Sequence, residues 1–217
     1  MATFGTIITR VSKRLKDPNN VDISASDVAT AVNDAIQYWS KKNYWFNEFE
    51  ETITLTNNGD NDDRIVPALT VTPLYLFKEG GFVITYAQSR WDVKPVTSLE
   101  FDNMNVEGRG IPYAYTERND GYEVYYYPDQ AYTATLRGIR AYSEFATDGT
   151  DNGESNVFTN NAERLIMYDA LARLFGEEKQ DPKMETYYQG RAQDEHRELK
   201  RQTLRKKKTN KLHVEGI

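Results

Sequence analysis

The spacing of apolar residues changes twice along this chain, from helical to alternating and back to helical, and that order limits the architectures open to it. Phe4, Ile7, Ile8, Val11 and Leu15 share one helical face, and Asp17-Pro18-Asn19-Asn20 stops the helix. Ser24, with Asp27 three residues on, predicts an N-cap. Val28, Ala31, Val32, Ala35, Ile36 and Trp39 then trace a second stripe that ends near Asn43. These two helices are expected to pair as a hairpin. After Tyr44-Trp45-Phe46 the period shortens, and residues 49–56 alternate like a half-buried strand.

Further strands are predicted over residues 82–86, 93–101, 113–116, 122–127 and 132–142. Glu117-Arg118-Asn119-Asp120-Gly121 reads as a hairpin turn, because Asp-Gly tolerates the positive φ of a tight turn. Helical spacing returns over residues 162–175, with Asn160 as the expected cap, and Gly176 and Asp181-Pro182 mark a break. Pro182 suits the first turn of a last helix running to about Lys206. The reading is an α+β fold. Its N- and C-terminal helices form a bundle, a small antiparallel sheet is inserted, and an extended basic C-terminal arm follows. Residues 1–48 and 154–195 make the bundle, 49–153 the insert, and 196–217 the end of the last helix and the arm.

Charge divides along the same lines. Residues 196–217 carry eight Lys or Arg (Arg197, Lys200, Arg201, Arg205, Lys206, Lys207, Lys208, Lys211) against Glu198 and Glu215, a net of +6; the whole chain is −6, so the rest carries −12. Blocks of like charge seldom join a core and commonly serve as interaction tails. The block ends in Leu212, His213, Val214, Glu215, Gly216 and Ile217, and with Leu212, Val214 and Ile217 as apolar contacts it reads as an arm for a partner. An acidic body and a basic run without interleaved aromatics favour a protein partner over nucleic acid or a merely solubilising end. The last helix has few apolar positions beyond Met184, Tyr187, Tyr188, Ala192 and Leu199, so it is expected to project from the body or lie on another subunit.

The residue inventory argues against several chemistries. With no Cys in the chain, disulfides and thiolate catalysis are excluded, and a reducing interior fits. No run approaches the roughly 18 apolar residues of a membrane span, and no cleaved signal is read at the N-terminus. Both histidines, His196 and His213, lie in or beside the basic tail, and His196 reads as a solvated residue on a polar helix. Asp60, Asp62 and Asp63, or Asp148, Asp151 and Glu154, supply oxygen donors for Ca²⁺ without the register of a defined loop, so turn chemistry is the favoured reading. With 33 Asp and Glu, a carboxylate pair at glycosidase spacing carries almost no information. There is no Walker loop, and Gly108-Arg109-Gly110 lacks the third glycine of a dinucleotide fingerprint. Tyr122, Tyr125, Tyr126, Tyr127 and Tyr132 read as cross-strand packing rather than a sugar platform. No catalytic residue, metal site or cofactor is assigned.

The helical hairpin, then Tyr38-Trp39 through Tyr44-Trp45-Phe46-Asn47-Glu48, then Glu51-Thr52-Ile53-Thr54-Leu55, resembles the head-to-tail adaptor, or head completion, proteins of short-tailed bacteriophages. Gly110-Ile111-Pro112-Tyr113-Ala114-Tyr115, Tyr127-Pro128-Asp129-Gln130-Ala131-Tyr132 and the returning helix with Glu163, Leu165 and residues 170–174 are similar too. The resemblance implies a non-enzymatic virion protein at the head-to-tail junction, assembled in the host bacterial cytoplasm as a ring of twelve copies. It implies portal and tail or nozzle proteins as partners, no membrane, and genomic DNA passing through the channel without specific binding. By matching position, the portal-binding arm is Arg197 to Ile217. A virion-associated cell-wall glycan hydrolase and, further off, a nucleic-acid-binding module stand as alternatives.

Overall fold

In the computed structural model residues 2–17, 19, 21–57, 64–104, 108–118 and 121–212 are described, with side chains through Lys207. The elements run α1 (Phe4–Arg14), α2 (Ala25–Ser40), β1 (Glu48–Leu55), β2 (Pro73–Leu76), β3 (Phe82–Tyr86), β4 (Ser89–Asp92), β5 (Lys94–Pro95), α3 (Ser98–Asp102), β6 (Ala114–Arg118), β7 (Gly121–Tyr125), β8 (Tyr132–Arg140), α4 (Val157–Asn161), α5 (Glu163–Glu177) and α6 (Pro182–Leu212). The fold is α+β. The chain divides into two compact units, Met1–Asn47 with Tyr142–Ile217, and Glu48–Ala141.

In the first unit, the expected stripes become the core. Ser24 caps α2, its hydroxyl accepting from the Asp27 N–H at 3.1 Å and donating to the Asp27 carboxylate at 2.6 Å. The connection from α1 is held by Asp17, whose carboxylate accepts from the N–H groups of Val21, Asp22 and Ile23 at 2.8–3.0 Å. Those bonds, that to Ile23 foremost, hold its pKa below the usual carboxylate value. Helix α5 is the centre of the unit, burying Leu165, Ile166, Ala170, Leu171 and Leu174 and contacting α1, α2, α4 and α6.

Two local expectations are corrected here. Asn160 does not cap α5; it lies inside the short α4, which Asn156 opens through a capping box with Thr159. Two Asn residues four apart compete for the role, and Thr159 decides it, because its hydroxyl returns a bond to the Asn156 N–H at 2.9 Å. Gly176 does not break the helix either. It lies in the last turn of α5, which runs on to Glu177, with the Glu185 carboxylate of α6 close over it.

Residues 142–153, placed by the sequence in the insert, pack within the helical unit. The Phe145 ring stacks on Phe4 at 4.6 Å, and the Asn33 carboxamide brackets the Phe145 backbone, donating to its C=O at 2.8 Å and accepting from its N–H at 3.1 Å. Asp148 and Asp151 serve as turn anchors: Asp148 accepts from the Thr150 N–H at 2.9 Å, and Asp151 from the Ala146 N–H at 2.6 Å. Among the described residues no group of three or more His, Cys, Asp and Glu could hold a metal ion; Asp60, Asp62 and Asp63 lie outside them.

The second unit holds two sheets where the sequence suggested one. Strand β8 is central to the first, pairing antiparallel with β1 along one edge and with β3 and β2 on the other, and β4 extends β3. The second sheet is β5-β6-β7, in which β5 and β6 run parallel. The hairpin between β6 and β7 closes where it was expected, with Arg118 opposite Gly121 at a φ of 138°; residues 119 and 120 lie outside the described residues.

The strand expected over 93–101 is contradicted: after the two-residue β5, Thr97 and Glu100 form a capping box that starts α3. Pro95 and that box outweigh the alternation of apolar residues. The tyrosines pack as cross-strand partners. Tyr115 and Tyr122 meet edge-on at 5.8 Å, Tyr113 and Tyr125 at 5.2 Å, and Tyr86 and Tyr132 at 5.4 Å.

The turn from α2 into β1 is governed by Asn47, which is fully buried. Its carbonyl oxygen accepts from the Tyr44 N–H at 2.9 Å, and its amide donates to the C=O groups of Ser40 and Lys42 at 2.9 and 2.8 Å. Asn47→Ala leaves three backbone groups short of a partner and is expected to lower unfolding free energy by about 3 kcal/mol. Urea denaturation checks this; a loss below about 1 kcal/mol contradicts it.

Candidate functional site

The residues assigned to the arm begin within α6. Asp181 opens the helix, its carboxylate accepting from the N–H groups of Lys183 and Met184 at 3.1 Å, and Pro182 occupies the first turn as expected. The helix does not project from the body. Tyr188, Ala192 and Leu199 are buried, and α5 is its main neighbour. Nor does it end near Lys206, for it continues to Leu212.

The start of the basic block is bolted to the turn after α2. His196 is not a solvated residue: its Nδ1 lies 2.7 Å from the Tyr44 hydroxyl, and its ring packs 4.9 Å from Trp39 and edge-on to Tyr44. Burial pushes the Tyr44 phenol up and lowers the His196 pKa, with Lys200 and Lys42 adding to the latter. The phenol therefore keeps its proton and the imidazole favours its neutral form, so one hydrogen bond joins the Tyr44 hydroxyl and His196 Nδ1.

One turn beyond Leu199, the buried Thr203 hydroxyl donates to the Leu199 C=O at 2.8 Å and accepts from the Trp45 N–H at 3.3 Å. Lys206 lies over the Trp45 ring, 3.0 Å from its centroid, and Lys207 donates to Asn43 at 3.3 Å. A cation over an indole face is held by the ring quadrupole.

Two faces result. Lys200, Lys206 and Lys207 turn to the chain's own Tyr44, Trp45 and Asn43. Arg197, Arg201 and Arg205, with Leu204, form an exposed stripe at the i, i+4, i+7, i+8 spacing of one helical face. Arg197 reaches Asp194 at 3.4 Å and Arg201 reaches Glu198 at 3.5 Å, contacts worth little in water. The backbone of Lys208, Lys211 and Leu212 is helical, whereas Val214 and Ile217 lie outside the described residues.

His196, Thr203, Tyr44 and Trp45 were missed as anchors. Their signal was present but faint: His196, Leu199 and Thr203 recur at i, i+3 and i+7, a helical stripe in which two of three members are polar.

Helix α6 is thus held to its own chain by polar contacts on one side and carries exposed arginines on the other. The chain matches the SU10 adaptor protein family over residues 2–212, and it belongs to that family. It is thus a structural adaptor protein of phage, which implies portal and tail proteins as its neighbours and the virion's head-to-tail junction as its place. No curated protein matches the chain.

Two outcomes test the anchor. Thr203→Val keeps the shape but leaves the Trp45 N–H without its acceptor, and is expected to cost about 1–2 kcal/mol in urea unfolding. His196 favours its neutral form in the folded state, so the unfolded chain binds the proton more readily. Stability is then full above the unfolded pKa of about 6.5 and falls as pH drops through it toward the lower folded value. Thermal melts across that window should show the decline, and His196→Gln should flatten it; an unchanged slope in the variant would place the titration elsewhere.

Proposed function

We propose that the chain forms a closed ring of twelve copies between the portal and the tail, extending the DNA channel, with the C-terminal end of α6 and the residues after it docking on the portal. The observation that carries this reading is the division of the basic block. Its first half, through Lys207, is fixed to the chain's own body. Lys208, Lys211, Leu212, Val214 and Ile217 follow immediately after that anchor and remain as the partner-facing part.

A body of −12 suits a conduit, since like charge keeps duplex DNA from adhering to its wall. A ring also multiplies modest arm contacts into a joint that can resist the pressure of packaged DNA.

The anchor dictates where the arm can be cut. Ending the chain at Glu195 removes the buried Leu199 and Thr203 together with His196, and so removes part of the helical core. Ending it at Lys207 removes only the proposed docking segment. The expected outcome is that the chain ending at Lys207 melts within a few degrees of full length yet no longer cosediments with DNA-filled heads lacking this protein. Full-length protein that also fails to cosediment would overturn the adaptor reading. Retained binding by the truncated chain would move the docking surface off residues 208–217.

A further inference from the structure

Two grooves of opposite charge flank the seam between α5 and α6. One, about 650 Å³, is walled by α1, α5 and α6 and holds five exposed cations, Arg10, Lys13, Arg14, Arg164 and Arg191, with the carboxylate of Glu163. Its formal charge is +4, on a body that is otherwise strongly acidic. Arg14 and Arg191 lie over the Tyr168 ring at 5.6 and 5.5 Å, and Arg10 is paired with Glu163, so these cations are held in place.

The other groove, about 430 Å³, is walled by α5 and α6 and holds Asp169, Glu177 and Glu185 against Arg173, a formal −2. Arg173 is engaged with Asp169 at 2.9 Å, which leaves Glu177 and Glu185 to set its sign.

The two grooves open on different sides of the same helix pair. Arg191 lines the basic groove and Gln189 the acidic one; two residues apart on α6, they diverge by about 160°. Tyr188 and Ala192, buried, occupy the face between them. On α5, Arg164 and Asp169, five residues apart, diverge by about 140°.

A closed ring of identical subunits needs a heterologous interface, in which one surface of each copy meets a different surface of the next. Complementary charge on two such surfaces steers the encounter and sets the register. We infer that the basic groove formed by Arg10, Lys13, Arg14, Arg164 and Arg191 docks on the Glu177–Glu185 groove of the neighbouring copy. The inference rests on the ring reading proposed above and assigns its subunit contact. Duplex DNA is the competing occupant of a basic groove, but the −12 body around it repels a duplex, and a matching acidic face is present on the same chain.

Two full-length variants test it on heads lacking this protein. K13E/R14E/R164E reverses the basic groove, and E177K/E185K reverses the acidic one. In either variant alone, like charges face each other at every contact. In an equal mixture, alternating copies restore opposite charge at every contact, and that rescue also demonstrates that both variants fold. Copies bound per head are counted by sedimentation.

Each variant alone is expected to load at least about tenfold fewer copies, and the mixture to return within about twofold of wild type. Either variant loading like wild type, or a mixture that stays empty, overturns the groove assignment while the adaptor reading stands. Wild type that fails to load overturns both. If K13E/R14E/R164E loads normally but loses salt-sensitive binding to duplex DNA, the basic groove is a polyanion site and the assignment falls.

Discussion

The buried carboxamide of Asn47 is the interaction on which the seating of α6 depends. Taking an amide out of water is costly unless its donors and acceptor are used, and here one side chain satisfies three backbone groups of the turn between α2 and β1. That turn presents Tyr44, Trp45 and Phe46 in fixed directions. Tyr44 stacks on Phe46 at 5.3 Å, and both meet the edge of Phe158 from α4. Two of these residues form the seat for α6: Tyr44 holds His196, the Trp45 N–H holds Thr203, and the Trp45 ring holds Lys206. Through that turn, the Asn47 carboxamide sets how α6 is seated on the body.

The parts of the fold that were legible in the sequence are those whose burial is apolar and periodic. Helices α1 and α2, strands β1, β3 and β8 and the β6–β7 hairpin follow the positions that hydrophobic spacing and turn chemistry mark. The misses share a different cause. Strand β4 is Ser-Arg-Trp-Asp, mostly exposed, with the single apolar side chain Trp91 packed on the core, so it has no apolar alternation to read. Residues 93–101 do alternate, yet a proline and a capping box decide their structure locally. Helix α6 looked unattached because, among the described residues, it buries few apolar side chains, Tyr188, Ala192 and Leu199, while much of its attachment is polar, through His196, Thr203 and several lysines. A pattern search that counts apolar positions passes over a polar anchor. The basic groove escaped for a further reason: its cations come from three helices, with α1 nearly 150 residues before α5 and α6 in the chain, and meet only in the folded unit.

Anchoring the block changes the energetics expected of an arm. A disordered basic tail of this length would have to lose its conformational freedom when it met its partner, at about 1–2 kcal/mol per residue fixed. From His196 to Lys207 that loss is already met in folding, offset by the buried Leu199 and Thr203 and by the Tyr44, Trp45 and Asn43 contacts. The backbone continues in the same helix to Leu212. The exposed Arg197, Arg201 and Leu204 then stand on a rigid face in known register, so a partner that recognises them gains from their fixed spacing rather than from charge alone. The basic end is therefore better understood as a preorganised helix with a short terminal extension than as a flexible polycation. Its register on the body is set by Tyr44 and Trp45, which Asn47 holds in the turn before β1.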